Sequence, residues 1–525
     1  MHWTLFYSVQ FLTKMLLFVF VLFNSAIGAN ILYISPTPAQ SHHIWNRVLA
    51  LALNEKGHNI TMLTHGHEEH LPANFTLIRL ERMLNITFPG SYLRKFVNTN
   101  AFNNLKAQYE FSQAWCKNDF TTQGLQTLVN YPKYFKFDVL IFDITFEQCL
   151  YPLIHRFNNP SVVAVTPFLL PPIFSYVWGN PLQPPYFSHS NMHYSDKMTF
   201  KERLFNFAIT YYELLYRKYL ALPYEMDLAK KYFGEDIPSF EDVERNMSIL
   251  LSNSDPNLEY PVDLPPNIIP VGGLHVQPAK PLPQDLQQLV DNARNGVIIY
   301  SLGSFIKSDS MSEIKKRHIL TAFSRVPATV ICKFETDLDD VPKNVIIKKW
   351  LPQNDILAQP NVKLLISHGG ALSTQEAMRH GVPIIAIPFY GDQFLNAESL
   401  EHKKIGKVVD FTTLTNETFY ATIKEVLDNP IYRNNIKTLA KRYTDRLNTP
   451  LETAIFWIEY ILRHGSAEHL NLAARDMYFY ETANLDIFVF IILLTCTLLT
   501  VGNLLFLLCK LILKAIFMKT MLYSK

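Results

Sequence analysis

Short β-branched runs alternate with helical segments along most of this 525-residue chain, and this alternation limits the folds that it can adopt. The run ANILYIS (29–35) predicts a first strand, and Ser41 can cap a helix that ends near Gly57. Three further runs have the composition of buried strands: NITML (59–63), FDVLIF (137–142) and SVVAVT (161–166). Strands that alternate with helices form a parallel sheet covered by helices, so the first half is predicted to be an α/β domain.

A second alternation follows a proline-rich stretch at 256–283. Its strand-like runs are GVIIYSLGS (296–304), PATVICKF (327–334), NVIIKKW (344–350), KLLISHGG (363–370) and VPIIAIP (382–388). The fold class is therefore α/β, with two similar domains joined by a proline-rich hinge. We place the first domain at 29–275 and the second at 276–480.

The amino terminus has the pattern of a secretory signal peptide. Lys14 precedes the apolar run MLLFVFVLF (15–23), and the small residues Ala26 and Gly28 fit a cleavage site, so we assign residues 1–28 to the peptide. A transmembrane anchor is the alternative, but the uncharged run is shorter than the ~20 residues that a spanning helix needs.

The carboxyl terminus carries a predicted transmembrane helix. No ionisable residue lies between Asp486 and Lys510, and residues 487–509 would form about 34 Å of helix. The tail at 510–525 contains four lysines and no acidic residue, which places it in the cytosol by the positive-inside rule. The main body should then face a lumen or the cell exterior.

Glycosylation and cysteine patterns agree with that location. Five N-x-S/T sequons occur in the body of the chain, at Asn59, Asn74, Asn85, Asn246 and Asn416. Cys116, Cys149 and Cys332 are the cysteines outside the apolar carboxyl-terminal segment. So small and odd a set predicts no disulfide framework, and the fold should depend on its hydrophobic cores.

Several classes of function lack support. A net charge of +2 provides no broad cationic face, so nucleic acid is not an expected partner. The sequence has no G-x-G-x-x-G, P-loop or G-x-S-x-G motif. The stretch HGHEEH (65–70) is one residue short of the H-E-x-x-H zinc spacing, and we interpret it as a solvated loop with no metal.

The segment 350–393 carries the strongest functional signal: WLPQNDILAQPNVKLLISHGGALSTQEAMRHGVPIIAIPFYGDQ. Each candidate position has a physical rationale if the ligand is a uridine diphosphate sugar. Trp350 offers a flat face for a uracil ring, and Gln353 a nearby amide. Glu376 can accept hydrogen bonds from ribose hydroxyls. The alternatives are a core aromatic for Trp350 and a surface carboxylate for Glu376.

The same segment contains candidates for the diphosphate and the sugar. Glycines such as Gly370 allow close backbone approach, and the following helix amino terminus attracts anions. Asp392 and Gln393 follow a strand, where α/β sheets bind ligands, and can bind sugar hydroxyls. Further donors to phosphate are His368, Ser373, Thr374 and, after an earlier strand, Ser304. Helix capping is the alternative role of Ser373 and Thr374.

The 350–393 segment resembles the signature of UDP-glycosyltransferases, and the two termini resemble the membrane-anchored microsomal members from animals, especially invertebrates. The resemblance implies two facing Rossmann-like domains, the GT-B architecture, and a reaction that uses UDP-sugar as co-substrate without a cofactor or metal. It places uracil on Trp350, diphosphate at His368 and Ser373, ribose at Glu376, and the sugar at Asp392 and Gln393.

The transfer also needs a base for the acceptor hydroxyl. The resemblance implies His42 in this role, although its neighbour His43 is nearly equivalent by sequence alone. Asp143, at the end of the strand FDVLIFD, would orient the imidazole. Asp138 is the competing carboxylate, but it begins that strand and should lie at the other sheet edge.

The acceptor site is predicted in the aromatic, proline-rich stretch 167–187. Candidate wall residues are Phe168, Phe174, Tyr176 and Trp178, with a braced core loop as the alternative. The helix at 200–222 mixes aromatic and basic residues, and it is compatible with a membrane-surface position or with a packed hairpin.

We therefore predict inverting transfer of a hexose, with UDP-glucose favoured over UDP-glucuronate, to a small lipophilic acceptor, as in detoxification. The alternative is a non-catalytic, membrane-bound protein that binds UDP-sugar or hydrophobic ligands. The expected location is the endoplasmic reticulum membrane, single-pass with lumenal domains, or else the plasma membrane. A homo-oligomer is left open.

Overall fold

The computed structural model describes residues 28–81, 99–303, 308 and 311–523. The predicted signal peptide at 1–28 falls almost wholly outside this range, and the predicted phosphate donor Ser304 also lies outside it.

Seven parallel strands form the first sheet of the described residues, in the order β3-β2-β1-β4-β5-β6-β7. They are β1 (Asn30–Ser35), β2 (Asn59–Thr64), β3 (Phe75–Arg79), β4 (Val139–Asp143), β5 (Ser161–Thr166), β6 (Ile249–Ser252) and β7 (Ile268–Pro270). The order reverses between β1 and β4, which pair with Ile34 opposite Phe142. Ligands bind at such a reversal, beyond the carboxyl ends of the strands.

The second sheet has six described parallel strands in the order β10-β9-β8-β11-β12-β13, which repeats this topology. They are β8 (Val297–Ser301), β9 (Thr329–Lys333), β10 (Val345–Lys348), β11 (Val362–Ser367), β12 (Ile384–Ala386) and β13 (Gly406–Val408). Here the reversal lies between β8 and β11, where Ser367 is opposite Ser301. The prediction of two Rossmann-like α/β domains is confirmed.

Helices cover both sheets. In the first half they are α1 (Gln40–Glu55), α2 (Ala101–Asp119), α3 (Gln123–Val129), α4 (Pro152–Arg156), α5 (Pro172–Val177), α6 (Phe200–Tyr216), α7 (Leu222–Phe233) and α8 (Phe240–Arg245). In the second half they are α9 (Gln284–Asn292), α10 (Glu313–Ser324), α11 (Gln353–Leu357), α12 (Ala371–His380), α13 (Gln393–His402), α14 (Asn416–Asp428), α15 (Pro430–Thr444), α16 (Pro450–His464), α17 (Phe479–Thr482) and α18 (Leu485–Tyr523).

Each sheet separates two hydrophobic cores because alternate side chains of a strand point to opposite faces. In β1, Leu32 and Ile34 belong to one core, whereas Ile31 and Tyr33 belong to the core on the other face. A strand that is buried on both faces reads as a continuous apolar run, and the sequence shows this pattern.

Helix α16 returns to the first domain. Its Ala454, Ile455 and Ile458 pack in the core beneath α1, together with Trp45 and Leu49. The sequence boundaries assigned residues 276–480 to the second domain, but this helix packs on the first. The structure therefore links the two domains by a crossing carboxyl-terminal helix.

Helix α18 is long and apolar enough to cross a membrane, and within the described residues it is the one such helix. The candidate span is Leu485–Lys519, and the helix continues past the predicted boundary at residue 509 to Tyr523. The most apolar 18-residue window of this span has no residue buried inside the protein.

A disulfide joins Cys116 in α2 to Cys149, six residues after Asp143. The cysteine count predicted no disulfide framework, and this one bond adds a covalent link to a fold that otherwise depends on its hydrophobic cores. Cys332 is free and buried.

Candidate active site

A cavity of about 450 Å³ lies between the two domains at the carboxyl ends of both sheets. The first domain lines it with residues that follow β1, β4 and β5, including His42, Thr145 and Phe168. The second domain contributes Trp350 and Asp392, among others. The cleft therefore combines residues from both halves of the chain.

The first turn of α1 places His42 beside Asp143 at the end of β4. His42 Nδ1 lies 2.8 Å from Asp143 Oδ2, and both side chains are buried. An ionised carboxylate can only accept a hydrogen bond, so Nδ1 carries the proton and Nε2 is the basic nitrogen. Nε2 has no hydrogen-bond partner among the described residues, and His42 lines the cavity.

Three further donors orient Asp143. Asn46, one turn along α1, donates to Oδ2 at 2.8 Å. The Thr145 backbone N–H and hydroxyl donate to Oδ1 at 3.1 and 2.6 Å. Both carboxylate oxygens are therefore fixed, and they fix the imidazole of His42 in turn.

The competing residues occupy other positions. His43 contacts Thr64 Oγ1 through Nδ1 at 3.2 Å and Glu68 Oε1 through Nε2 at 3.0 Å. Burial lowers the pKa of His43, although the hydrogen bond with Glu68 opposes this. Asp138 lies just before the amino end of β4, at the opposite end of the strand from Asp143. There its Oδ2 accepts a hydrogen bond from the backbone N–H of Asn30 at 2.9 Å. The geometry thus favours His42 and Asp143.

The HGHEEH loop is only partly solvated. His67 and His70 are exposed, as predicted. Glu68, however, pairs with His43 and with Arg47, and His65 Nε2 lies 3.2 Å from the buried Asp119. The interpretation as a solvated loop was wrong for His65 and Glu68, because side chains of the neighbouring helices cover them.

Trp350 and Gln353 follow β10 on the opposite wall. Trp350 is 58% exposed, so its ring remains open to the cavity that it lines. The Gln353 amide donates to Ser373 Oγ at 3.0 Å and to Glu376 Oε2 at 2.7 Å. Burial raises the pKa of Glu376 to about 7.

His368 follows β11 and packs between two glycines. A side-chain carbon at Gly303 or Gly370 would come within 2.6 or 2.4 Å of its ring, so only glycine fits there. Burial, with a contribution from the nearby Lys333 charge, lowers the pKa of His368 to about 4. At neutral pH His368 is therefore an uncharged donor.

Lys333, which ends β9, is a cationic residue that the sequence did not identify. Its ammonium donates to Gly303 O at 2.8 Å and to Glu335 at 2.9 Å, and it lies 6.0 Å from the Trp350 ring centre. Lys333 lines the same cavity as His368 and Gly370. The helix α12 begins at Ala371 beside them, so a positive charge and a helix amino terminus coincide.

Asp392 and Gln393 begin α13 at the junction of the two walls. Burial raises the pKa of Asp392 to about 6, and Asn396 donates to its Oδ2 at 3.0 Å. A positive charge on the His42 ring, once it has taken a proton, would oppose this rise in the pKa of Asp392. Gln393 Oε1 accepts from the Phe389 backbone at 2.9 Å, which holds its side chain at the cavity.

Three predicted site residues do not line this cavity. Thr374 is fully buried on α12, whereas its neighbour Ser373 lines the cavity. Trp178 is fully buried in the core against Arg475, and Tyr176 packs against the same core. The burial of Trp178 agrees with the alternative of a braced core loop, and Tyr176 is partly buried against that core. The acceptor role of both residues stays a prediction.

The remaining acceptor candidates do line the cavity. Phe168 contacts the His42 ring edge-on, with 5.1 Å between ring centres, and Phe174 lies nearby. Trp115 and Phe146 complete the aromatic wall, with their rings 5.2 Å apart. These last two lie outside the proline-rich stretch, and no motif in the sequence pointed to them.

The fold has the GT-B architecture of two facing Rossmann-like domains, which solved structures share. A solved structure described as the glycotransferase of kitacinnamycin covers 83% of this chain and 99% of its own, at a TM-score of 0.55 and 16% identity. The spinosyn forosaminyltransferase SpnP has a TM-score of 0.53 over the same shares. At such identities the likeness concerns the fold alone.

Sequence relatives define the family. The family model described as "UDP-glucoronosyl and UDP-glucosyl transferase" matches residues 34–519, and the chain belongs to this family of UDP-glycosyltransferase enzymes. UDP-glycosyltransferase UGT5 of Dactylopius coccus is 34% identical, over 91% of this chain and 92% of its own. The 2-hydroxyacylsphingosine 1-beta-galactosyltransferase of Rattus norvegicus is 31% identical (90% and 88%), and UDP-glucuronosyltransferase 2B9 of Macaca fascicularis is 30% identical (87% and 89%).

Proposed function

We propose that this enzyme transfers a neutral hexose, with UDP-glucose as the favoured donor, to a hydroxyl group of a small lipophilic acceptor. One observation carries the proposal: the unpartnered Nε2 of a buried His42–Asp143 pair lines the same cavity as Asp392 and Trp350 of the opposite domain. A base and a donor-binding wall thus share one cleft.

In the proposed reaction, His42 Nε2 takes the proton of the acceptor hydroxyl while its oxygen attacks the anomeric carbon. The bond from that carbon to the diphosphate oxygen breaks, and UDP leaves with the electron pair. Attack from the side opposite the diphosphate inverts the anomeric carbon. Asp143 stabilises the imidazolium that forms, because its carboxylate already accepts the Nδ1 proton.

In this proposal, the second domain stabilises the charge of the leaving diphosphate. Lys333 supplies a fixed positive charge, and the amino terminus of α12 supplies N–H groups and a favourable dipole. His368 is uncharged at neutral pH, so it acts as a hydrogen-bond donor there. Trp350 would stack on uracil, and Glu376, bonded to Gln353, would accept from ribose.

A neutral sugar is supported by the charges around Asp392. Glucuronate would bring a second carboxylate toward this acidic side chain. Three lysine and arginine residues line the cavity among the described residues. Arg217 is paired with Glu244, and Lys333 with Glu335 on the diphosphate side. Lys280 is exposed, and its backbone N–H donates to Asp355, which places it on the wall that carries α11 and Gln353. The relatives are named for glucosyl, galactosyl and glucuronosyl transfer. The donor assignment is therefore supported by these charges and not by sequence similarity.

The aromatic wall supports a lipophilic acceptor. Phe146, Phe168, Phe174 and Trp115 line the cavity beside the base, and flat apolar rings favour aromatic or aliphatic molecules over sugars or peptides. Helix α18 supports anchoring in the endoplasmic reticulum membrane, with both domains in the lumen and the plasma membrane as the alternative.

The test uses microsomes that carry the full chain. UDP release is measured with UDP-glucose, UDP-galactose and UDP-glucuronate against a panel of phenols and aliphatic alcohols. We expect turnover with UDP-glucose and little with UDP-glucuronate. Release with UDP-glucuronate alone would reject the donor assignment, and UDP binding without turnover on any donor would identify a non-catalytic binding protein.

The matched variants are His42→Ala and His43→Ala. Loss of the base should lower kcat by roughly 10²- to 10⁴-fold, with UDP affinity unchanged. His43 contacts Thr64 and Glu68, away from the cavity, so its loss should have a much smaller effect on kcat. Equal effects of the two substitutions would reject His42 as the base.

A further inference from the structure

Helix α6 (Phe200–Tyr216) presents apolar residues to the outside of the protein. A helix on the surface of a soluble protein usually turns its apolar side inward. Its outward residues include Phe200, Leu204, Phe207 and Leu215, which are 72%, 55%, 50% and 54% exposed. These positions recur at helical spacing and form one stripe. The apolar side of the helix thus faces away from the protein.

Most buried residues on the inward side of α6 are polar, and Ile209 is the apolar residue among them. Asn206 donates to the carbonyls of Pro184 and Phe187, at 2.8 and 2.9 Å. Glu213 contacts His189 at 2.9 Å, and Arg217 pairs with Glu244. These buried bonds fix the rotation of the helix about its axis, so the apolar stripe cannot turn inward without leaving them unpaired.

The stripe is continuous with the approach to the membrane helix. Tyr211 on α6 contacts Phe479, with 6.2 Å between ring centres, and α18 begins only six residues later at Leu485. Tyr478 and Tyr480 beside it are 69% and 48% exposed. Exposed tyrosines next to a spanning helix are typical of the membrane–water interface.

We propose that this apolar stripe inserts into the leaflet from which α18 enters the membrane. The stripe is Phe200, Leu204, Phe207, Tyr211, Leu215 and Tyr219. The proposal rests on the anchoring role of α18 given above. A lipid bilayer is favoured over a second protein copy because the Tyr211–Phe479 contact holds the stripe at the membrane end of the molecule.

Basic residues at the two ends of the stripe agree with lipid as the occupant. Lys201 and Arg203 are exposed at the start of α6. Lys218 is exposed just beyond its end, where its ammonium lies 3.7 Å from the exposed Glu241. An apolar stripe that is bordered by cations matches helices that lie in the plane of the headgroups. Phosphate groups of lipids would neutralise these cations.

The inserted stripe would bring the acceptor site close to lipid. Glu213 and Arg217, on the inward side, line the same cavity as His42. A helix is about 10 Å wide, so one helix separates the cavity from the leaflet. A lipid-dissolved acceptor would therefore reach the site without crossing bulk water.

The test uses the full chain in vesicles of phosphatidylcholine and phosphatidylserine, and it requires no turnover. In a Cys496→Ala, Cys509→Ala background, a polarity-sensitive fluorophore is attached at Leu204→Cys or Leu215→Cys. The matched control is Ala421→Cys, an exposed position on α14 of the second domain. All three positions are exposed, so the substitutions leave the cores intact.

We expect emission at shorter wavelength from positions 204 and 215 than from 421, and quenching by nitroxide-labelled lipids at 204 and 215 only. Emission equal to the control at both positions would overturn the proposal. A shift to shorter wavelength without nitroxide quenching would also overturn it, because it would identify a protein contact. Since the readout is independent of sugar transfer, its failure is distinct from failure of the proposed reaction.

Discussion

At the scale of single residues, Asp143 accepts four hydrogen bonds: one from His42, one from Asn46 and two from Thr145. In Asp143→Asn an amide would face these donors, and the imidazole would lose its preferred tautomer. We expect kcat to fall by roughly 10²- to 10⁴-fold, with UDP affinity retained. Steady-state kinetics check this. The control is Asp138→Asn, at the amino end of β4, which should keep kcat near that of the native enzyme.

Trp350 provides the second prediction at this scale. Its ring is 58% exposed and lines the cavity, so truncation removes little from the core. Loss of base stacking costs about 1–3 kcal/mol, so Trp350→Ala should raise the KM for UDP-sugar by about 5- to 150-fold. Trp350→Phe should restore most of the affinity. An unchanged KM in Trp350→Ala would remove this residue from the uracil site.

Which side chains meet at the site was predictable only in part. His42, Asp143, Trp350 and Asp392 lie at or just beyond strand ends, and position relative to a strand can be read from the sequence. Lys333 could not be found in this way, because a lysine within a strand-like run predicts a solvent-facing position. Its role depends on the sheet register, which brings it to Gly303 and Trp350.

At the scale of elements, the Cys116–Cys149 disulfide ties α2 to the loop after β4. It closes a loop with a sequence separation of 33, for which chain entropy gives about 4 kcal/mol of stabilisation. The double variant Cys116→Ser, Cys149→Ser should therefore unfold at lower temperature. Thermal unfolding with and without reductant checks this: reductant should lower the Tm of the native protein and leave that of the variant unchanged.

The elements themselves were largely predictable, because strands buried on both faces give continuous apolar runs such as those of β1, β4 and β8. The partner of a helix is harder to predict. Helix α16 has an apolar face, but that pattern does not say which sheet it covers, and the structure places it under α1 in the first domain. The inverted polarity of α6 likewise emerges only once its buried partners are known.

At the scale of the whole molecule, polar contacts hold the two domains together behind the cleft. Gln375 donates to the Asn253 carbonyl at 2.8 Å, and Arg446 pairs with Asp255. Tyr260 donates to Glu398 at 2.5 Å. These contacts enclose ionisable groups away from water, so the stability of the assembled molecule depends on pH.

Two sets of buried groups act on this stability with opposite sign. Among the described acids, burial raises the pKa of Glu225 and Glu376 to about 7, of Glu259 to about 8 and of Asp392 to about 6. Burial also raises the pKa of Glu147 and Glu398. The folded state keeps these protons to a higher pH than the unfolded state does. The contribution of the acids to the free energy of unfolding therefore falls as pH rises above about 4.

Burial lowers the pKa of three histidines to about 4: His275, His368 and His380. Their contribution rises with pH up to about 6.5.

The two sets oppose each other below pH 6.5, but above it only the acids still titrate in the folded state. We therefore expect the ligand-free protein to lose stability between pH 6.5 and 8, by up to about 1.4 kcal/mol per pH unit for each acid still protonated. Glu259, with a pKa of about 8, still holds its proton above pH 7, so Glu259→Gln should flatten the decline there. Thermal unfolding of the full chain in detergent at pH 6, 7 and 8 checks this. Glu235→Gln, at an exposed carboxylate, is the control that should keep the native slope, and a Tm that rises from pH 6.5 to 8 would contradict the prediction.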